Sequence, residues 1–492
     1  MPPAARVDNA DGRPSFLAID LGASSGRAVV GTLDGDSMSM HEVHRFPTPL
    51  VEADGHLYWD IDALWLDIRD ALMKALAMAP SLRSVSVDSW GVDYVPLDRN
   101  GEPVRRPYSY RDPRTRGRLA DATTRLGGAD ALYQRTGVQF LDLNTLPQVV
   151  SDLADEPHVV ERTTMRLTVA EYFLFRLCGM AVAERTMAST TQLLDIRSGN
   201  WAADVIHGIG DDVGRWPRIV PPGTRLREVG AEILPGAKHR PLVIATCAHD
   251  TAAAVAAVPA STDTRWAYIS SGTWSLVGVE LHAPNLTRAA REAGFTNEVG
   301  LDDTIRFLKN CTGMWVLEEC AREWRERGQD VARTSLARAA MGAGRAEGTI
   351  DLNAPEFAER GRMLEKITRA CRERGIRMPT RRGAIARLVF ESLVESYAET
   401  LDALETLTGE TLEVVHVVGG GANNHVMNDL IAARCGRPVI AGPAEATTLG
   451  NLLVQARTLG ELPAASSIRD VARRSTTTQR YEPYIPRILS TQ

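Results

Sequence analysis

Phe16-Leu-Ala-Ile-Asp20-Leu-Gly-Ala-Ser-Ser-Gly-Arg27, followed by the apolar stretch Ala28–Thr32, decides the fold. An apolar run of β-formers, a turn of small hydroxylated residues and a second apolar run predict a β-hairpin. The turn from Gly22 to Gly26 offers consecutive backbone N–H groups and two hydroxyls with little bulk, and such amides form a concavity suited to anions. Asp20 stands where the first strand ends, a position from which a carboxylate can hold Mg2+ through water. Any tight hairpin with an Asx-type start has the same outline. The reading therefore depends on what the rest of the chain repeats.

The chain repeats the device. Trp266–Ser270 is a second β run, ending in Ser270-Ser-Gly-Thr-Trp-Ser275 and continuing as Leu276–Val279. Two copies of one strand–Ser/Gly turn–strand unit argue for a duplicated domain. Further strands are expected at Ser84–Val87 and Leu242–Thr246, and His249-Asp250-Thr251 then opens an Ala-rich helix. At Pro259–Thr264 the composition changes to Pro, Ala, Ser, Thr and Asp, which reads as a domain boundary. Ile385, Leu388, Val389, Leu393, Tyr397, Leu401, Leu404 and Leu407 recur at helical spacing and predict a long amphipathic helix closed by Gly409. A buried strand Val414–Val418, the turn Gly419-Gly-Gly-Ala-Asn-Asn424, a helix His425–Arg434, a strand Pro438–Ala441 and a helix Glu445–Thr458 follow. Alternation of this kind implies an α/β fold with mostly parallel sheets.

Ligands of open α/β sheets bind beyond the carboxyl ends of the strands. Four signals stand there: the two hairpin turns, the three glycines of 419–421, which let a flat group approach the backbone, and Asp250. Asp and Thr are also ordinary helix caps, and consecutive glycines an ordinary strand-to-helix turn. Position is what favours chemistry. The glycines are consecutive, so they are not a dinucleotide fingerprint. There is no GxxxxGK[ST] loop, no HExxH and no GxSxG elbow. His41-Glu-Val-His44 has the wrong spacing for two imidazoles on one helical face and reads as a surface strand, and the charged run Arg360–Glu373 with Arg381–Arg382 reads as solvated helix faces.

Composition closes off other classes. With 492 residues, 44% hydrophobic and 24% charged, the chain is an ordinary globular one, neither disordered nor a small disulfide scaffold. A formal charge of −6 argues against a general nucleic-acid or membrane-surface binder. Met1–Pro14 lacks the apolar region of a secretory signal, and the longest apolar stretch, Thr251–Ala260, is too short to span a bilayer. Six cysteines without a CxxC pair read as reduced, mostly buried thiols of a cytoplasmic protein. Only four lysines are present (Lys74, Lys238, Lys309 and Lys366), leaving few candidates for a lysine-dependent phosphate site.

Asp20-Leu-Gly-x-Ser-Ser-Gly, Ser271-Gly-Thr-Trp and Gly419-Gly-Gly-x-Asn-Asn together resemble the phosphate and adenosine motifs of the actin-like ATPases. Asp88-Ser-Trp-Gly-Val-Asp93, Tyr110-Arg-Asp-x-Arg114 and His249-Asp-Thr251 narrow the resemblance to the FGGY carbohydrate kinases, over Phe16 to about Thr458. Longer stretches are similar to the branch that phosphorylates L-rhamnulose: Asp20–Arg27, Tyr58-Trp-Asp-Ile-Asp62, Gly137 through Leu146, Thr190-Thr-Gln192, Tyr268–Leu276, Leu308-Lys-Asn310 and Ala441-Gly-Pro-x-Glu-Ala446.

The resemblance implies two duplicated actin-like (ribonuclease H-like) domains with an interdomain active-site cleft. The first would run over 15–259 and the second over 264–465, with a C-terminal tail at 466–492. It implies ATP and Mg2+ as cofactors and a small sugar as partner. The activity implied is transfer of the γ-phosphoryl group to O1 of a ketose, L-rhamnulose ahead of L-fuculose or xylulose. The expected state is a cytoplasmic monomer or homodimer that binds neither nucleic acid nor membrane. By the same resemblance Ala23, Ser24, Ser25, Gly26 and Arg27 would hold the ATP phosphates, with Thr273 approaching from the second domain and Gly420 and Gly421 against the adenosine. Asp250 would be the catalytic base, ionised at neutral pH; Gly91, His249, Thr251 and Asn310 would line the sugar, and Asp20 would carry the metal through water. Glu318 departs from the pattern: a Gln on the nucleotide side would match, and a Glu there adds negative charge beside ATP. Two rivals on the same scaffold are a non-catalytic sugar or nucleotide sensor and a polymerising ATPase.

Overall fold

The computed structural model of the protein describes residues 12–261, 263–329, 333–464 and 466–483. The readings made for the N-terminal stretch 1–11, for the end of the tail from 484 and for residue 262 within the boundary lie outside the described residues. By compactness the chain forms two units. The first comprises Met1–Pro259, Glu280–Phe307 and Ala446–Thr476; the second comprises Ala260–Val279, Leu308–Glu445 and Thr477–Gln492.

The opening hairpin forms as β1 (Ser15–Leu21) and β2 (Ser25–Asp34), antiparallel, with Asp20 opposite Arg27 and Leu21 opposite Gly26. The strand β3 (Ser37–Pro47) extends the meander and carries His44, whose imidazole Nε2 lies 2.8 Å from Asp67 Oδ1. On the other side β1 runs parallel to β4 (Ser84–Ser89), with Asp20 and Asp88 in register. The sheet is completed by β5 (Thr224–Glu228), antiparallel to β6 (Leu242–Ala245), and β6 is parallel to β4; the order is β5-β6-β4-β1-β2-β3.

A second sheet repeats this plan. Its strands are β7 (Trp266–Ser271), β8 (Trp274–Leu281), β9 (Thr296–Val299), β10 (Ile305–Thr312), β11 (Val414–Val418), β12 (Val439–Ala441) and β13 (Gln479–Tyr481). They are ordered β9-β10-β8-β7-β11-β12-β13. In both sheets a first strand pairs with its hairpin mate on one side and with two successive parallel strands on the other, and an antiparallel edge strand finishes the row. The duplication read from the two Ser/Gly turns is thus present in strand order and direction.

The helices that position the site are α1 (Ile61–Met78), α2 (Val169–Cys178), α3 (Asp250–Ala256), α4 (Trp315–Glu326), α5 (Arg382–Thr408), α6 (His425–Cys435) and α7 (Ala446–Leu459). All seven residues of β1 are buried, because both faces of the sheet are covered. Leu17, Ile19 and Leu21 point into one core with Leu64, Ile68 and Leu72 of α1 and Phe173 and Leu174 of α2. Phe16 and Ala18, on the alternate face, meet Ala252, Ala253 and Ala256 of α3 and Leu449, Leu452 and Leu453 of α7. That second core is why α7 belongs to the first unit although it lies late in the sequence.

The long helix α5 ends, as its spacing predicts, at Gly409 in the left-handed conformation (φ 72°). The charged run Arg360–Glu373 departs from a purely solvated face: Lys366 is buried and donates to the Glu359 carbonyl oxygen at 2.7 Å. All six cysteines are free thiols, five of them buried. Among the described residues no helix is long and apolar enough to cross a membrane.

Candidate active site

In the first unit, three parallel strands place three carboxylates at one end of the sheet. Asp20 closes β1, Asp88 lies beside it in β4, and Asp250 follows β6, where Ser89 bridges His249 and donates its N–H to the Ala248 carbonyl at 2.9 Å. Each has a different environment. Asp20 Oδ2 accepts from Arg27 Nε at 2.9 Å and Nη2 at 2.7 Å, so Arg27, expected on phosphate, holds the Asp20 carboxylate here. Asp88 is fully buried; Oδ2 accepts from Asn451 of α7 at 2.6 Å, while Oδ1 has no hydrogen-bond partner among the described residues. Burial first, then the Asp20 charge, pushes the Asp88 carboxyl well above the usual carboxylate range.

Asp250 is the first residue of α3. Its Oδ1 accepts from Thr251 Oγ1 at 3.1 Å and lies 3.4 Å from His249 Nε2, and 29% of its side chain remains exposed. Loss of hydration, then the Asp20 charge, pushes it up to about 7. This corrects the expectation of a carboxylate fully ionised at neutral pH: desolvation and a like charge outweigh the stabilising effect of the helix start. His249 is buried, and burial together with the Arg306 guanidinium holds its imidazole well below the usual histidine range, so it is neutral. Gly91 lies in a turn where a Cβ would come within 2.9 Å of Thr190 Oγ1.

Around the first hairpin, Ala23 to Ser25 are partly or fully exposed and Gly26 is buried. Gly22 N–H closes the turn on the Ser25 carbonyl at 3.1 Å, Thr48 Oγ1 donates to the Gly22 carbonyl at 2.6 Å, and Thr48 N–H donates to the Ser24 carbonyl at 3.3 Å. The turn is therefore braced through its carbonyls. The Ala23 and Ser24 amides donate no backbone hydrogen bond among the described residues.

The second unit assembles the other predicted residues. Gly272 N–H closes its turn on the Trp274 carbonyl at 2.8 Å, and Met314 and Trp315 N–H donate to the Gly272 and Thr273 carbonyls at 3.1 and 3.2 Å. This close approach requires Gly313, where a Cβ would stand 2.6 Å from the Trp274 backbone. Asn310 lies on β10, and Glu318 occupies the first turn of α4 directly after this brace; both are partly exposed. Of the three glycines of the 419–421 turn, the two expected against the adenosine differ. A Cβ at Gly421 would meet Ser271 Oγ at 2.2 Å, so that glycine accommodates the hairpin, whereas none of the described residues comes within 4 Å of a Cβ at Gly420.

Several residues to which the sequence reading gave no role support the site. Asp93 Oδ2 accepts from Trp59 Nε1 at 2.6 Å, Trp90 Nε1 at 3.0 Å and Tyr110 N–H at 3.1 Å, and its Oδ1 accepts from Gln148 at 2.9 Å. Burial pushes Asp93 up to about 6 against those donors. The hub fixes the turn carrying Gly91, in which Val92 takes a left-handed φ of 68° that a β-branched side chain adopts only under constraint. Glu184 accepts from the Thr186 amide and hydroxyl and from Ala248 N–H at 2.9 Å, tying down the approach to Asp250. Arg306 and Glu298 pack behind His249. Only the spacing of Asp88-Ser-Trp-Gly-Val-Asp93 after a strand could have drawn attention to the first of these; the others become neighbours only in the fold.

A duplicated α/β sheet with acids at the strand ends and two amide-lined turns defines a phosphotransferase scaffold. Solved structures bear out the fold. Gluconate kinase from Lactobacillus acidophilus superposes with a TM-score of 0.78 at 15% identity over 96% of this chain and 94% of that one. Plasmodium falciparum glycerol kinase with ADP gives 0.74 at 14% identity over the same shares.

The N-terminal domain model of the FGGY family of carbohydrate kinases matches residues 15–257 and the C-terminal domain model residues 267–459, and the chain belongs to that family. Among curated relatives, the rhamnulokinase of Bacteroides thetaiotaomicron is 37% identical over 473 residues, 96% of each chain. That of Klebsiella pneumoniae is 39% identical over 459 residues, 93% of this chain and 92% of the relative. That of Bacillus subtilis is 37% identical over 461 residues, 94% and 93%.

Proposed function

We propose that the protein transfers the γ-phosphoryl group of ATP to O1 of L-rhamnulose, giving L-rhamnulose 1-phosphate, ADP and a proton. The observation that carries this reading is Asp250. It is a carboxyl held at the strand ends with Oδ1 already engaged by Thr251, pushed up to about 7, in a chain similar over nearly its full length to curated rhamnulokinases. A base with that affinity for protons is matched to accepting one from an alcohol at neutral pH.

Asp250 takes the proton of the sugar hydroxyl on Oδ2 as the oxygen attacks the γ-phosphorus and ADP departs. His249, Thr251, Gly91 and Asn310 bind the sugar; the absence of a Cβ at Gly91, with Thr190 immediately behind it, keeps that wall flat. The Ala23–Gly26 turn and Thr273 hold phosphate oxygens through amides and hydroxyls, a role that suits a chain with four lysines. Gly420 has the room to lie against the adenosine, with Gly421 and Glu318 beside it. The acid pair fits a divalent cation: Asp20 and Asp88 stand in register, and the Asp88 Oδ1 atom is buried without a hydrogen-bond partner among the described residues. Among the described residues no group of three or more ligating side chains forms, so Mg2+ would be held by Asp20 through water and by substrate oxygens. When bound, the ion supplies neutralising charge for the phosphates. Because phosphoryl transfer has a loose transition state, alignment and charge stabilisation are the main demands on the chain.

A coupled ADP-release assay over L-rhamnulose, L-fuculose, D-xylulose and L-xylulose tests the substrate. The highest kcat/KM is expected for L-rhamnulose; a preference of more than about tenfold (a difference of about 1.4 kcal/mol in transition-state binding) for another ketose would remove that assignment.

A further inference from the structure

Behind Asp250 runs a buried row of polar side chains that no step above uses. Arg306 of β10 is 0% exposed, yet its Nη2 lies 3.0 Å from His249 Nδ1 and 3.0 Å from Glu298 Oε2, and its Nε donates to the Val299 carbonyl at 3.2 Å. On the far side of the same imidazole, Nε2 faces Asp250 Oδ1 at 3.4 Å. All four residues belong to the first unit.

A guanidinium has donors and no acceptor, and it does not lose its proton in proteins. Nδ1 has Arg306 Nη2 at 3.0 Å and Glu298 Oε2 at 3.4 Å beside it, and toward the nearer guanidinium it presents a lone pair. A neutral imidazole has one N–H, and when Nδ1 accepts, that N–H is on Nε2. We infer that Arg306 is a positioning residue: by occupying Nδ1 it fixes His249 as the Nε2–H tautomer, whose N–H points at Oδ1 of Asp250. Two donors, His249 Nε2–H and Thr251 Oγ1, then converge on Oδ1. With both side-chain donors on Oδ1, Oδ2 is left as the oxygen that receives the substrate proton. Catalytic hydrogen bonds are commonly long in a ligand-free site and tighten when substrate binds, which accommodates the 3.4 Å separation. With the other tautomer a lone pair would face the carboxylate and turn the base away. Glu298, also buried, is the counter-charge that keeps Arg306 in place, and Arg306 in turn opposes the rise that burial imposes on the Glu298 carboxyl.

The inference rests on Asp250 being the base, but its first readout does not. Side-chain nitrogen shifts of 15N-histidine-labelled protein without substrate, with His249 assigned by its loss in His249→Gln, give the tautomer directly. The expected result is a neutral ring protonated on Nε2; protonation on Nδ1 would overturn the inference. The second readout compares Glu298→Gln with the double variant Arg306→Met/Glu298→Gln, which removes both buried charges together and so leaves no orphan carboxylate. The double variant is expected to lose its fixed tautomer and at least about tenfold in kcat, with KM for ATP within about twofold, and Arg306→Lys is expected to recover part of the loss. Turnover equal to that of Glu298→Gln, with the tautomer unchanged, would show that Arg306 merely fills space. If the double variant does not fold, the wild-type tautomer and Arg306→Lys decide. A wild-type chain that phosphorylates no ketose would sink the proposed function while leaving the tautomer result to stand by itself.

Discussion

At the scale of single residues, burial first and the Asp20 charge second raise two carboxyls of the site, Asp88 and Asp250. Asp250, raised to about 7, is the one with solvent-facing surface. Since the base must be ionised, kcat/KM for the sugar is expected to rise with pH through an apparent pKa near 7 and to level off above it. A pH–rate profile flat from about pH 5.5 to 8.5 would contradict this. Glu184 titrates without touching substrate. Its folded value of about 7 stands above the 4.5 of an unstrained glutamate, so the folded state holds the extra proton. The stability it contributes is present below about 4.5 and is lost as pH rises through about 7. Glu184→Gln cannot ionise. The melting temperature of the variant relative to wild type should therefore shift in the variant's favour between about pH 5 and 8, by an amount on the order of 2 kcal/mol in stability. A pH-independent difference would show that Glu184 is not the titrating group. None of this was legible in the sequence, because a pKa shift is created by neighbours such as Asp20 and Ala248 that lie far apart along the chain.

At the scale of elements, the two Ser/Gly hairpins and the strand ends were legible, since each is a local pattern: apolar run, small turn, apolar run. The predicted hairpin strands, the helix opening at Asp250 and the long helix α5 appear within a few residues of their expected limits. The bracing of the elements was not legible. Nothing in the sequence says that α7 packs against β1 and α3 at all, and that packing depends on one position. A Cβ on Gly450 of α7 would stand 1.9 Å from the Ala253 carbonyl oxygen of α3, backbone that cannot move aside. Gly450→Ala is expected to destabilise the protein by roughly 1–3 kcal/mol and to lower kcat, since α3 begins with Asp250. Thermal melts read the first effect and steady-state kinetics the second. Wild-type stability and turnover in that variant would mean that α3 and α7 are not held at this spacing.

At the scale of the whole molecule, the sequence carried the duplication because two similar turns recur, and the structure extends it to the order and direction of five strands in each sheet, β5-β6-β4-β1-β2 and β13-β12-β11-β7-β8. The compact units are less simply related to sequence order. Glu280–Phe307 and Ala446–Thr476 return to the first unit, bringing Arg306, Glu298, Thr448 and Asn451 to the acid cluster. Residues that arrive by such long-range returns carry no local motif, which is why His249-Asp250-Thr251 stood out in the sequence as the expected base and its neighbours, and the groups packed behind them did not. The resemblance of these motifs to the FGGY carbohydrate kinases agrees with the family models that match nearly the entire chain.

In the proposed reaction Asp250 receives the proton of a sugar hydroxyl while other residues bind ATP. Asp250→Asn keeps the size and the Thr251 contact but cannot act as a base. Measured by ADP release with L-rhamnulose, and by calorimetric titration with a non-hydrolysable ATP analogue, it should lose at least about 100-fold in kcat and bind the nucleotide within about threefold of wild type. Turnover within about threefold of wild type in a variant that still binds nucleotide would contradict the account.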